Sequence, residues 1–210
     1  MNYIYLHGYI SGPKSAKALY FKKLFNKKNI YLHIPDLNLP DFSELTINSQ
    51  IQIVNTILKS VKGPVTLIGS SMGGFVSSII AENNDRIKRL VLLAPAFGFI
   101  QDQKKLMGSE ILKKWKQNGS IDVFHKYYGE TQKLNYSFYK DASHFTTFSF
   151  SRNLPALVFH GLQDETIPWK RSLEYSHTHP DSKFILLHTN HSMENEFQFM
   201  GKITSSWLGI

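Results

Sequence analysis

The segment Val65-Thr-Leu-Ile-Gly-Ser-Ser-Met-Gly-Gly74 carries the strongest structural signal in the chain. Its first four residues are apolar or β-branched, as in a buried strand, and Phe75 to Glu82 after it has the composition of a helix. Between them, residues 69–73 fit the pattern Gly-x-Ser-x-Gly. A serine at the centre of such a strand, turn and helix occupies a strained turn that exposes its hydroxyl. The segment therefore predicts a nucleophile elbow with Ser71 as the nucleophile.

The same turn places the serine at the N-terminus of a helix, where backbone NH groups favour negative charge. The NH of Met72, directly after the serine, is one candidate donor to an oxyanion. A second donor is expected from the loop after the first predicted strand, where His7-Gly8-Tyr9 offers the NH of Tyr9. A tight turn at Gly8 is the simpler interpretation of these residues, and under it Tyr9 still lines the pocket.

A serine hydroxyl needs a base before it can attack a carbonyl. His191 lies in a short polar loop between the last predicted strand and the last predicted helix, where an α/β-hydrolase fold places its base. Asp164 follows the penultimate predicted strand, from where a carboxylate can orient the imidazole. Glu165 is its nearest rival, and an ordinary capping role for Asp164 stays open. Histidines at strand or helix ends are interpreted as supporting residues: His7, His33, His160, His177, His179 and His188.

Apolar, β-rich segments alternate with helix-like segments along the chain, which is the pattern of a parallel sheet covered on both faces. The sequence therefore predicts an α/β fold of about six parallel strands flanked by helices. The predicted strands are Tyr3–Leu6, Ile30–Ile34, Val65–Ile68, Leu90–Leu93, Ala156–Phe159 and Lys183–Leu187. The predicted helices are Ser15–Asn26, Ser49–Ser60, Met72–Glu82, Pro168–His177 and Asn195–Trp207.

About 60 residues separate the fourth and fifth predicted strands, although a crossover needs only about a dozen. The stretch 97–153 is interpreted as a cap-like insertion within a single domain, 1–210, because no linker or repeat divides the chain. It includes helix-like Gln103 to Gln117 and could form an acyl-binding wall or merely a second small core. Its aromatic residues are Trp115, Phe124, Tyr127, Tyr128, Tyr136, Phe138, Tyr139, Phe145, Phe148 and Phe150.

Of the 210 residues, 42% are hydrophobic, which suffices for one buried core. The sequence contains no cysteine, so a disulfide framework and a thiolate nucleophile are both excluded. No metal or cofactor is expected. The chain shows no export signal after Met1 and no apolar run of about 18 residues, so a cytoplasmic protein without a membrane span is expected.

The net charge of +8 fits solvated lysine-rich helix faces or attraction of anionic substrates; a nucleic-acid partner is not expected. The lysines of the first such face are residues 14, 17, 22, 23, 27 and 28.

The segment Tyr5-Leu-His-Gly-Tyr-Ile-Ser-Gly-Pro-Lys-Ser-Ala-Lys17 together with Gly69-Ser-Ser-Met-Gly-Gly74 resembles the YqiA/YcfP-like α/β-hydrolase family. The resemblance implies a shortened sheet without the first two strands of the larger fold, and an esterase or thioesterase. The chain departs from the family at Ser11-Gly-Pro13 and at Tyr9, outside the triad. Further matching segments are Ile34-Pro-Asp-Leu37, Leu93-Ala-Pro95, His160-Gly-Leu-Gln-Asp164 and Asn190-His191.

These residues predict a serine hydrolase that cleaves small-molecule carboxylic esters or thioesters through an acyl-serine intermediate. A peptidase or lipase with the same triad stays open, as does a catalytically silent binding module of this fold. A dehalogenase is disfavoured because it would carry an aspartate at position 71. Nucleotide binding is also disfavoured, because no Gly-x-Gly-x-x-Gly is formed and no lysine follows the glycines. The substrate-binding residues and the oligomeric state are not fixed by the sequence.

Overall fold

The computed structural model describes residues 1–146 and 149–210, and all of their side chains except those of 103–107. Phe148, one of the aromatic residues of the predicted insertion, lies outside the described residues. The strands are β1 Asn2–Leu6, β2 Leu32–His33, β3 Val65–Ser70, β4 Ile87–Leu93, β5 Ser120–His125, β6 Glu130–Asn135, β7 Ala156–Gly161 and β8 Ser182–Leu187. The α-helices are α1 Ala16–Asn26, α2 Ile47–Ser60, α3 Met72–Glu82, α4 Phe99–Asn118, α5 Ser137–Ser143, α6 Lys170–Thr178 and α7 Phe197–Leu208.

Six strands form one sheet in the order β2-β1-β3-β4-β7-β8, and every neighbouring pair is parallel. The predicted α/β class with six parallel strands is therefore confirmed. Two apolar clusters lie on the two faces of the sheet. Successive strand residues belong to one cluster and then the other, as Leu67 and Ile68 do. Strand β3 is buried at every residue, so it lies in the middle of the core and ends at the elbow.

The edge strand β2 is shorter than predicted. Only Leu32 and His33 pair with β1, whereas the sequence indicated a strand over Ile30–Ile34. Pro35 lies two residues after His33 and has no NH to donate to a ladder, so the strand cannot continue through it. The last predicted helix also begins later, at Phe197, because Glu194–Glu196 forms a 3-10 turn.

The stretch between β4 and β7 contains α4, an antiparallel β5–β6 hairpin and α5. Helix α4 begins earlier than the predicted Gln103, and it is kinked at Gly108, whose φ is 72° and ψ 163°. The Trp115 indole NH donates to the Leu134 carbonyl at 3.0 Å, which ties α4 to the hairpin. Trp115, Leu134 and Phe138 pack in the same apolar cluster as the α3 face of the sheet, so they extend the main core instead of forming a second one. The assignment of 97–153 as an insertion within a single domain stays a prediction.

None of the helices described is both long enough and apolar enough to cross a membrane.

Candidate active site

The turn at Ser71 has the strained geometry that the Gly-x-Ser-x-Gly segment predicts. Ser71 has φ 52° and ψ −119°, a backbone conformation that residues with a Cβ rarely adopt. The glycines on either side are needed for close approach, because a Cβ on Gly69 would collide with the Gly73 carbonyl and one on Gly73 with the Leu6 carbonyl. The Ser71 hydroxyl is therefore held at the carboxyl end of β3 and the N-terminus of α3.

The loop after β1 lies directly against this turn. A Cβ on Gly8 would lie 3.1 Å from the Cβ of Ser71. Within the described residues, the backbone NH groups of Tyr9 and Met72 donate to no other group of the chain. Tyr9, Ser71 and Met72 also line one cavity. The two NH groups predicted for an oxyanion hole are thus without an acceptor among the described residues, and both belong to residues that line the cavity with Ser71.

Asp164 and His191 are in direct contact, although 27 positions separate them in the chain. His191 Nδ1 lies 2.7 Å from Asp164 Oδ2; the Asp164 side chain is fully buried and the His191 side chain is 20% exposed. Because an ionised carboxylate only accepts hydrogen bonds, Nδ1 carries the proton and Nε2 of the neutral ring keeps its lone pair. The other carboxylate oxygen accepts from the NH groups of Thr166 and Ile167, both at 2.8 Å. Asp164 therefore caps its own loop and orients the imidazole at the same time.

A second imidazole contacts the same carboxylate oxygen. His160 Nε2 lies 3.1 Å from Asp164 Oδ2 and 3.0 Å from the Ile167 carbonyl, and His160 Nδ1 lies 2.7 Å from Ser172 Oγ. A carbonyl can only accept, so Nε2 of His160 carries a proton. Burial alone would raise the pKa of Asp164, but hydrogen bonds from His160 and His191 outweigh burial and hold this pKa well below its usual value. The carboxylate therefore stays ionised in the site.

Glu165, the rival acid, does not contact the imidazole ring of His191. Its carboxylate accepts from the backbone NH of His191 at 3.3 Å, and its side chain is exposed. The arrangement thus favours Asp164 as the partner of the ring, in keeping with the predicted order along the chain.

Ser71 and His191 line one cleft. Among the described residues, Ser71 Oγ forms no hydrogen bond with His191. Proton transfer needs an approach of about 2.6–3.2 Å or one bridging water, and such catalytic contacts are often longer before a substrate binds. The structure therefore joins Asp164 to His191 directly, and it places Ser71 and His191 on the walls of the same cleft.

Lys17 is part of this site, and its assignment to a solvated helix face was wrong. Its Nζ donates to the backbone carbonyl of His191 at 3.0 Å and to Ser70 Oγ at 3.3 Å. Burial lowers the pKa of Lys17 to about 8, with the carboxylates of Asp164 and Glu194 opposing the shift. The one sequence signal for this role is its position at the end of the family-like segment that begins at Tyr5, because its spacing within α1 is that of an ordinary surface lysine.

Two cavities of different character meet at Ser71. The smaller, about 140 Å³, has mainly apolar walls, including seven residues of the insertion: Phe99, Ile100, Trp115, Ile121, Leu134, Phe138 and Tyr139. The larger, about 710 Å³, has hydroxyl groups and lysines on its walls together with His191. The insertion thus supplies much of the wall of an apolar cavity beside Ser71, and its role as an acyl-binding wall stays a prediction.

Comparison with known proteins identifies relatives with the same fold. The rat protein "Palmitoyl-protein thioesterase ABHD10, mitochondrial" is 28% identical over 204 residues, which cover 91% of this chain and 69% of the rat protein. The mouse protein of that name is also 28% identical, over 81% of this chain and 61% of its own length. The chain therefore spans about two thirds of these relatives. Cytoplasmic location stays a prediction, since these relatives are named as mitochondrial.

Solved structures share the architecture at low sequence identity. Mouse alpha/beta hydrolase domain-containing protein 10 superimposes with a TM-score of 0.84 at 24% identity, covering 99% of this chain and 89% of that one. A monoacylglycerol lipase of Paleococcus ferrophilus gives 0.78 at 15% identity, covering 98% and 92%. These likenesses show the α/β-hydrolase fold. The family described as "Uncharacterised protein family (UPF0227)" matches residues 2–205, so this chain belongs to that family, as the YqiA-like resemblance of its motifs indicated.

Proposed function

We propose that this protein is a serine hydrolase that cleaves carboxylic esters or thioesters through an acyl-Ser71 intermediate. The observation that carries the proposal is the 2.7 Å pair of Asp164 and His191 on the cleft that the strained Ser71 also lines. Such a constellation serves acyl transfer, since it places a base and a partly exposed hydroxyl on one cleft near free NH groups. The name of the rat and mouse relatives, a thioesterase, agrees with this reaction class.

In the proposed reaction, His191 Nε2 removes the proton of Ser71 and the alkoxide attacks the carbonyl carbon. The backbone NH groups of Tyr9 and Met72 bind the oxyanion of the tetrahedral intermediate, where preorganised donors are worth several kcal/mol. Asp164 stabilises the imidazolium through its contact with Nδ1. His191 then protonates the leaving alcohol or thiol, and water repeats the sequence to release the acid.

The acyl group of the substrate is assigned to the apolar cavity beside Ser71. A cavity of about 150 Å³ with apolar walls holds a benzene molecule, so the 140 Å³ here would take an acyl group of about six carbon atoms. Few polar groups face this space, which suits a hydrocarbon chain more than a peptide side chain with hydrogen-bonding groups.

Steady-state hydrolysis of p-nitrophenyl hexanoate and of S-hexanoyl-N-acetylcysteamine tests the proposal. We expect wild-type turnover of both, and a loss of kcat of about 10⁴-fold or more in Ser71→Ala and in His191→Gln. His177→Gln is the matched control, because His177 is exposed at the end of α6 and outside the site. Wild-type turnover no faster than that of Ser71→Ala would contradict the proposal and favour a silent binding module.

A further inference from the structure

The two cavities at Ser71 differ in their access to His191. Both are lined by Tyr9, Ser71 and Thr166, so a substrate carbonyl at Ser71 can extend into each of them. His191 lines the larger cleft and is absent from the walls of the apolar cavity, all of which belong to the described residues. The two sides of the scissile bond are therefore distinguishable in this site.

Acyl transfer requires that the base of the first step return its proton to the leaving atom. The oxygen or sulfur that departs must hence lie within reach of His191, on the side of the larger cleft. The acyl chain then points the other way, into the apolar cavity. This orientation assigns the cleft of about 710 Å³ to the leaving group, and a volume of that size takes a group much larger than a simple alcohol.

We propose that this cleft binds an anionic leaving group, bearing phosphate or carboxylate, through Lys14, Lys17 and Lys126. The inference rests on the proposed hydrolase function and names its substrate class. Cationic side chains on the walls of a cleft raise the local concentration of anions and hold them by charge-assisted hydrogen bonds. Among the described residues that line the cleft, three are lysines and Glu194 is the single carboxylate.

The lysines come from two different parts of the fold. Lys14 and Lys17 lie at the start of α1, and Lys126 follows β5 in the hairpin. The hairpin is held against the β1 loop, since the NH of Tyr127 donates to the Ile10 carbonyl at 3.4 Å. An anion in the cleft would thus meet positive charge from both sides. Serine hydroxyls that can add neutral hydrogen bonds line the same space, at Ser11, Ser15 and Ser192.

Lys17 lies nearest to the reacting groups. Two of its three N–H bonds are used by the His191 carbonyl and Ser70 Oγ, which leaves one for a ligand. Its ammonium is therefore fixed by the backbone carbonyl of His191, the residue whose side chain is the proposed catalytic base. The exposed Lys14 and Lys126 lie on the cleft without such fixed partners among the described residues and are the better positions for substitution.

Three thioesters with the same hexanoyl group test the proposal: hexanoyl-CoA, S-hexanoyl thioglycolate and the neutral S-hexanoyl-N-acetylcysteamine. We expect wild-type kcat/KM to be about tenfold higher for at least one anionic thioester than for the neutral one. A preference for hexanoyl-CoA alone that is lost in Lys14→Gln/Lys126→Gln assigns the site to phosphate, and a preference for both anionic thioesters extends it to carboxylate. Equal kcat/KM for all three would overturn the proposal.

The double variant Lys14→Gln/Lys126→Gln should lower the anionic-to-neutral ratio about tenfold. Lys22→Gln/Lys27→Gln removes the same net charge from exposed positions on or next to α1 that do not line the cleft, and it should keep the wild-type ratio within about twofold. An equal fall of the anionic-to-neutral ratio in both double variants would show that the basic protein attracts anions in general. That result would contradict a binding site in the cleft. If no thioester is hydrolysed, the proposed function fails. Calorimetry then tests this proposal separately, by comparing the binding of hexanoyl-CoA to Ser71→Ala and to Ser71→Ala/Lys14→Gln/Lys126→Gln. Weaker binding without the two lysines would support the anionic site, and equal binding would overturn it.

Discussion

His160 Nε2 lies 3.1 Å from Asp164 Oδ2, the same oxygen that lies 2.7 Å from His191 Nδ1. The His160 side chain is fully buried and is itself held by Ser172 and by the Ile167 carbonyl. The carboxylate is therefore held by a buried imidazole on one side and contacts the imidazole of His191 on the other. His160 acts on the reaction through Asp164, as a positioning residue.

Replacement of His160 should lower catalysis only while Asp164 is present. We expect His160→Leu to reduce kcat on p-nitrophenyl hexanoate by about 10–100-fold, because the carboxylate loses a donor and can rotate. His160→Gln keeps a donor group and should recover part of this loss. In the Asp164→Asn background, His160→Leu should change kcat by less than about threefold, since residues acting as a unit are not additive. Additive losses in the double variant would contradict the positioning role.

The stability contributed by Asp164 should depend on pH in a defined direction. Its pKa is depressed below the ordinary value of 3.8, so the folded state favours the ionised carboxylate. The contribution is then fully present above that value, and it is lost progressively as the pH falls below 3.8 and through the depressed pKa of the folded state. We expect Asp164→Asn to lower the free energy of unfolding by about 2 kcal/mol at pH 7, and by clearly less at pH 3.

Urea unfolding at pH 7, 5 and 3 measures this difference. Asp122→Asn is the matched control, because Asp122 is 65% exposed in a surface pair with Lys133 and should contribute little at any of these values. A gap between wild type and Asp164→Asn that stays constant down to pH 3, or widens, would contradict the depressed pKa.

The preference for an anionic leaving group should weaken in mildly alkaline solution. Burial lowers the pKa of Lys17 to about 8, and the carboxylates of Asp164 and Glu194 act against this shift. The ammonium is charged below that pH and neutral above it, so the cleft loses one positive charge between pH 7 and 9. We expect the ratio of kcat/KM for hexanoyl-CoA over S-hexanoyl-N-acetylcysteamine to fall in this range.

The other titratable residues that line the same cleft are Lys14, Lys126, His191, Glu194, Tyr5, Tyr9 and Tyr127. His191 serves the same catalytic step for both thioesters, so its contribution cancels in the ratio. Lys17→Arg keeps its charge at these pH values and should hold the ratio constant. A wild-type ratio that is flat from pH 7 to 9 would show that Lys17 does not contact the leaving group.

The apolar cavity should set the acyl chain length. We expect kcat/KM for p-nitrophenyl esters to be highest near six carbon atoms, because the 140 Å³ cavity is then filled. Tyr139→Ala would enlarge this cavity and move the optimum to longer chains, by about fourfold in relative kcat/KM for each further buried methylene. Phe124→Ala is the matched control, since Phe124 is 61% exposed and lies on neither cavity. An unchanged optimum in Tyr139→Ala would place the acyl chain elsewhere.

The sequence predicted the elbow and the central sheet well because their signals are local. Apolar β3, the glycines around Ser71 and the helix after it lie within one short segment, and chain order alone pointed to Asp164 and His191. The sequence does not predict the β5–β6 hairpin, because its alternation of apolar and polar residues is short and its aromatic residues fit a general apolar wall. Contacts between distant segments carry no local signal, so the Lys17 contact with the His191 carbonyl and the His160 contact with Asp164 became visible only in the folded chain.

Reaction with an alkyl fluorophosphonate tests most directly whether Ser71, His191 and Asp164 act together, because only an activated serine attacks the phosphorus at an appreciable rate. Intact-protein mass should show one phosphonyl adduct on the wild type, located at Ser71 and not at Ser70 by fragmentation. His191→Gln should be labelled at least about 10³-fold more slowly than the wild type, while His177→Gln should be labelled at the wild-type rate. An adduct at another residue, or wild-type labelling of His191→Gln, would contradict the account.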